Sequence, residues 1–161
     1  MKRRILFICT GNVCRSPMAA ALFTAQAKQM GDAENYEIAS AGTWALDGEP
    51  ASTLARQIMQ MQGLDLSGHR GRTITHELLQ TADLILVMTR SHQDSIRAEF
   101  PATRSKLHLM SELIGQQYDI ADPYGRSLSE YEACAAELTQ LIERGYPRVR
   151  QWLAQAAPRE P

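Results

Sequence analysis

Hydrophobic and polar positions alternate between two periods along this chain, and the switch between them sets out an order of strands and helices. Ile5 to Ile8 is an unbroken apolar run, short enough for a buried strand. Pro17 to Gly31 follows with Met18, Ala21, Leu22, Ala25 and Met30 at helical spacing, Ser16 as a candidate cap and Gly31 as a stop. Tyr36 to Ser40 alternates as a second strand. Ala51 to Gln62 is a second helix, with Leu54, Ile58, Met59 and Met61 on its buried side. Thr75 to Thr81 predicts a short helix. Asp83 to Met88 is the strongest strand, apolar on both faces and therefore central in a parallel sheet. Ser91 is placed to cap a helix from Gln93 to Phe100, which Pro101 ends, and Lys106 to Leu109 reads as a fourth strand. Ser127 or Ser129 caps a last long helix, with Gly145-Tyr146-Pro147 expected to interrupt it.

Strands alternate with helices throughout, which predicts an α/β fold: a three-layer sandwich with a four-stranded parallel sheet flanked by helices. No repeat or linker divides it, so residues 1–161 form a single domain, with 157–161 expected to fray.

The chemistry concentrates where the first strand meets the first helix, in Cys9-Thr10-Gly11-Asn12-Val13-Cys14-Arg15-Ser16-Pro17. Gly11 and Asn12 tolerate left-handed backbone. A loop of this kind turns successive N–H groups inward and ends at the positive pole of a helix, which makes a cradle for an anion. Cys9 sits at its floor and Arg15 at its rim. N–H dipoles, a helix N-terminus and a guanidinium favour the thiolate, the nucleophilic form of cysteine. The planar fork of Arg15 matches two oxygens of a tetrahedral oxyanion. Alone, Cys9 reads as a strand-end cysteine and Arg15 as a surface residue. Together, between a strand and a helix, they point to phosphoryl transfer to sulfur.

Composition narrows the classes. A formal charge of −1 gives no electrostatic case for nucleic acid or an anionic membrane as partner. No stretch approaches the length of a membrane span, and the apolar run after Met1-Lys2-Arg3-Arg4 is too short for a signal peptide. Three cysteines, an odd number without a Cys-x-x-Cys pair or His cluster, suggest neither a disulfide framework nor a metal site. The expectation is a cytoplasmic enzyme with no cofactor.

The Cys9–Pro17 segment resembles the phosphate loop of the low-molecular-weight protein tyrosine phosphatases, and the resemblance runs over nearly the whole chain. It implies a protein-tyrosine phosphatase working through a cysteinyl-phosphate intermediate. Asp122, in Asp122-Pro123-Tyr124, matches the family's general acid and later base; Asp119 is its nearest competitor. Tyr124 matches a ring flanking the substrate. Trp44 lies on a loop that borders the family's active site, so that it or the nearby Leu46 walls the pocket; the alternative for Trp44 is to cover the core edge. His69 matches a histidine that hydrogen-bonds the loop asparagine, here Asn12, although Gly68 departs from the pattern and a surface histidine is the alternative. Arg70 and Arg72 beside it read as solvated, as does His92. Ser16 matches a hydroxyl that helps the thiolate leave. Cys14 matches a partner of the nucleophile in a reversible disulfide, or is simply a small buried residue.

The resemblance also names rivals. Protein arginine phosphatases carry Thr where Val13 stands. Thiol-dependent arsenate reductases need further cysteines after the third strand, and 81–115 contains none. A non-catalytic phosphate-binding module need not keep both Cys9 and an acid. The implied partner is a phosphotyrosine-containing protein, such as a bacterial tyrosine kinase of polysaccharide export.

Overall fold

The computed structural model describes residues 1–159. Its sheet holds β1 (Arg3–Cys9), β2 (Tyr36–Gly42), β3 (Leu84–Val87) and β4 (Leu107–Leu109), all parallel, in the order β2-β1-β3-β4. The helices are α1 (Arg15–Gln29), α2 (Thr53–Met61), α3 (His76–Thr81), α4 (Arg90–Glu99) and α5 (Leu128–Gln155). No helix among the described residues is long and apolar enough to cross a membrane.

Alternation along the strands assigns side chains to two cores. Ile5, Phe7 and Cys9 face one layer with Leu84 and Leu86, under α1, α2 and α5. Leu6 and Ile8 face the other with Ile85 and Val87, against Leu79 of α3 and Ile96 of α4. β1 and β3 are thus buried on both faces, as their apolar runs predict. The same period of two puts Cys9 on the α1 side, where the chain turns into the helix.

The left-handed angle in that turn belongs to Asn12 alone (φ 57°); Gly11 does not take one. Gly42, at the end of β2, is needed for close approach instead. A Cβ there would come within 2.3 Å of the Thr10 carbonyl oxygen.

Three helix boundaries differ from the sequence reading, each for a packing reason. α1 begins at Arg15, so Ser16 lies inside it and caps nothing; its hydroxyl is used by Cys9 and Asn12. α4 begins one turn early, capped by Thr89 rather than Ser91, with His92 completing a capping box. α5 runs unbroken through Gly145-Tyr146-Pro147. A proline inside a helix costs about 3 kcal/mol. Here Tyr146 stacks on Phe23 (5.3 Å) and meets Tyr36 edge-on, while bare Gly145 lets Leu113 pack against the helix. Burial of that aromatic cluster outweighs the proline. At the C-terminus Arg159 pairs with Asp83 (3.5 Å); of the tail read as frayed, residues 160–161 lie outside the described region.

Candidate active site

The site forms where β1, β2 and β3 end on the same side, as parallel strands require. Asn12 is its structural centre. It is fully buried, and all of its side chain is used. Its Nδ2 donates to Ser16 Oγ (2.8 Å) and Ser40 Oγ (2.9 Å), and its Oδ1 accepts from Arg72 N (3.1 Å). His69 Nε2 lies 2.6 Å from the Asn12 carbonyl oxygen. A non-glycine residue in left-handed backbone is strained and persists only when its surroundings hold it; here four groups do so. Gly68 therefore costs no register: His69 and Asn12 meet. Arg72, read as solvated, is exposed, yet its N–H holds Asn12 and its Nε donates to Ser40 O (3.1 Å). Burial lowers the pKa of His69 most, and the bond to Asn12 works against that.

The network reaches the sulfur. Because Asn12 donates to Ser16 Oγ, the Ser16 hydrogen is free to donate, and Cys9 Sγ is 3.0 Å away against 3.4 Å for the Ala41 carbonyl. Cys9 itself is buried at the base of a cavity of about 860 Å³ that Thr10, Gly11, Val13, Cys14 and Arg15 also line. The neighbouring backbone is pinned by Thr43 N to Cys9 O (2.9 Å), Trp44 N to Thr10 O (3.0 Å) and Ser52 N to Val13 O (2.9 Å).

Arg15 is 4% exposed, and its guanidinium divides its donors. NH1 donates to the Ile120 carbonyl (2.8 Å), and NH2 lies 3.5 Å from Asp122 Oδ2. Nε is buried and has no partner among the described residues. A buried N–H without an acceptor is costly. This one shares an edge with NH2, the geometry that grips two oxygens of an oxyanion. The cradle therefore fits a phosphate group, with Cys9 beneath it.

Asp122 stands at the mouth, half-exposed, its Oδ1 accepting from Tyr124 N (3.1 Å). Ile120 anchors this segment on both sides, through Arg15 and through its own N–H to the Met88 carbonyl (3.0 Å). Asp119, the rival acid, faces elsewhere: it accepts from Arg90 N (2.9 Å) and Nε (3.1 Å), bonds that lower its pKa. Trp44, Leu46 and Tyr124 are 77%, 65% and 66% exposed and all line the cavity. Trp44 is thus on the pocket side rather than a cover for the core.

Cys14 is buried against Ser52 Oγ (3.3 Å) and Tyr131 OH (3.1 Å), and burial pushes its thiol up. Cys9, Cys14 and Cys134 are all free thiols. Cys134 lies in the core of α5, where burial pushes it up to about 12.

Two groups escape the sequence reading. His92, read as a surface residue, is 6% exposed and bonds Thr10 Oγ1 (2.8 Å). Tyr131, read only as core, lines the cavity through Ser52 and Cys14. A histidine three residues after a capping threonine is the one signal that pointed to His92.

With this geometry in place, comparison with known proteins is informative. The family model for low molecular weight phosphotyrosine protein phosphatase matches residues 4–155. A protein-arginine-phosphatase of Geobacillus stearothermophilus is 39% identical over 145 residues, covering 89% of this chain and 94% of that protein. A probable low molecular weight protein-tyrosine-phosphatase, EpsP, of Ralstonia nicotianae is 36% identical over 150 residues, covering 93% and 98%. The crystal structure of a low molecular weight protein tyrosine phosphatase from T. tengcongensis superposes with a TM-score of 0.86 at 39% identity, covering 91% of this chain and 99% of that one.

Proposed function

Because the chain belongs to the low molecular weight phosphotyrosine protein phosphatase family, a family of hydrolases, we propose that it dephosphorylates phosphotyrosine in proteins. Cys9 is the nucleophile, Arg15 the phosphate clamp and Asp122 the general acid and base. The Cys9 thiolate attacks phosphorus and the bond to the phenolic oxygen breaks. Asp122 gives that oxygen its proton, so tyrosine leaves neutral. Water then attacks the cysteinyl phosphate, Asp122 takes a proton from it, and the thiolate leaves as inorganic phosphate forms. The loop amides at 10–15 and the Nε/NH2 edge of Arg15 stabilise the equatorial oxygens in both steps. Ser16 stabilises the departing thiolate. Asn12 and His69 keep the loop in shape. Trp44 and Tyr124 take the phenyl ring between them.

The observation that carries this reading is the unpartnered Nε of Arg15, buried in the wall of the cavity that holds both Cys9 and Asp122. The test is turnover of p-nitrophenyl phosphate and a phosphotyrosine peptide, with Cys9→Ser expected to abolish both. Full turnover in Cys9→Ser would overturn the covalent route.

Phosphoarginine is the second reading, supported by the identity to a protein-arginine-phosphatase. Val13 argues against it. Its side chain lines the cavity without a hydroxyl to orient water at a P–N bond. Phosphotyrosine, phosphoarginine and phosphoserine peptides offered side by side decide between the two. Arsenate reduction is disfavoured because 81–115 contains no cysteine and Cys134 is buried in α5. Phosphoproteins are the substrates, and a tyrosine kinase of polysaccharide export suits the reading as partner. A reactive thiolate also suits the reducing cytoplasm.

A further inference from the structure

We infer that His92, in the first turn of α4, is a positioning residue of this site: its Nε2–H fixes the Thr10 hydroxyl, and with it the peptide units next to Cys9. The inference rests on the proposed role of Cys9 as nucleophile.

The tautomer follows from the bonds. His92 Nδ1 accepts from Thr89 N (3.2 Å), so Nδ1 carries no hydrogen. Nε2 carries it and donates to Thr10 Oγ1 (2.8 Å). The ring cannot turn over without breaking both bonds. The charged groups around it are Arg15, Asp119 and Asp122. Burial first, and Arg15 next, push its pKa down to about 4, so the ring is neutral at physiological pH.

Capping α4 needs only the Nδ1 side, since any acceptor at this position serves the Thr89 N–H. The Nε2 bond crosses to another element. Thr10 is then held from two sides: its hydroxyl by His92 and its carbonyl by Trp44 N. The two peptide units that flank it, whose N–H groups begin the phosphate ring, are fixed in direction. The same turn of α4 holds the acid segment through Arg90 and Asp119. One short turn thus references both the nucleophile loop and the acid segment.

The experiment separates capping from positioning. His92→Asn keeps an acceptor at the δ position for Thr89 N but has no donor at ε. His92→Gln restores an amide donor at ε. His92→Asn is expected to lower kcat about tenfold, a typical cost of a slightly misplaced catalytic group, with KM changed less than about twofold. His92→Gln should recover most of that loss. Thr10→Val should match His92→Asn, and the double variant should be no slower than the worse single one. The loss should be equal for p-nitrophenyl and phenyl phosphate, because it acts on the sulfur side. Wild-type kcat in His92→Asn, losses that multiply in the double variant, or a loss confined to phenyl phosphate would each overturn the inference. Should His92→Asn fail to fold, wild-type kcat in Thr10→Val overturns it equally. Turnover lost in Cys9→Ser but untouched in Thr10→Val overturns only the role of His92; turnover surviving in Cys9→Ser overturns the mechanism itself.

Discussion

The phosphate loop and the rim above it are built in opposite ways. In the loop, Asn12 is fully buried and bonded to Ser16, Ser40, Arg72 and His69, and the carbonyls of Cys9, Thr10 and Val13 are all taken. On the rim, Trp44, Leu46 and Tyr124 are largely exposed. Phosphate is the same in every substrate, so rigid donors cost no reorganisation as charge develops on it. The rest of the substrate varies, and loose aromatic and aliphatic walls accept variation. On the proposed mechanism, the difference puts turnover in the buried half and substrate choice in the open half.

The comparison can be broken most severely at Asn12. Asn12→Ala leaves the buried Ser40 hydroxyl and the Arg72 N–H without their partner and removes the donor to Ser16 Oγ, at roughly 1–3 kcal/mol for each group left unsatisfied. It also leaves alanine in left-handed backbone. We expect a loss of about 3 kcal/mol or more in chemical denaturation, and kcat reduced by about two orders of magnitude. An Asn12→Ala protein with wild-type kcat would mean the loop needs no such frame.

Next in size is a pH effect confined to the buried half. The His92 pKa is lowered to about 4 in the folded protein from an ordinary value of 6.5. The unfolded chain therefore binds more protons in that window. The stabilisation is complete above about pH 6.5 and is lost as pH falls towards 4. The size is on the order of 2 kcal/mol after allowing for partial solvent contact. Tm measured from pH 7 to pH 4 should fall more steeply for wild type than for His92→Asn; parallel curves would refute it.

The smallest effect sharpens the contrast on the rim. Tyr124→Ala should leave stability within about 0.5 kcal/mol, as surface substitutions do. It should raise KM for phosphotyrosine peptides several-fold while leaving inorganic phosphate inhibition unchanged. A variant that loses kcat but keeps KM would place Tyr124 with the buried half.

What the sequence made legible follows from how local the cause is. The runs Ile5–Ile8 and Leu84–Met88 declare buried parallel strands by themselves. The Cys9–Arg15 spacing carries its own structural context. By contrast, Pro147 and Gly145 read as a break because their compensation lies far away in sequence, in Phe23, Tyr36 and Leu113. His92 read as surface because its neighbours Arg90, Ser91 and Asp94 are polar; only the fold brings Thr10 to it, 82 positions away. Ser16 looked like a helix cap because serine before proline usually is one. The demands of Asn12 and Cys9 on its hydroxyl are tertiary.

The guanidinium of Arg15 is a rigid plane with two working edges, and one end is already tied to the Ile120 carbonyl. Nothing in that plane can bend, so the position of Nε fixes that of NH1. The edge that faces the cradle and the bond that anchors the segment carrying Asp122 thereby share one rigid plane. A lysine in this place would hold charge at a single point and leave the two without that common frame.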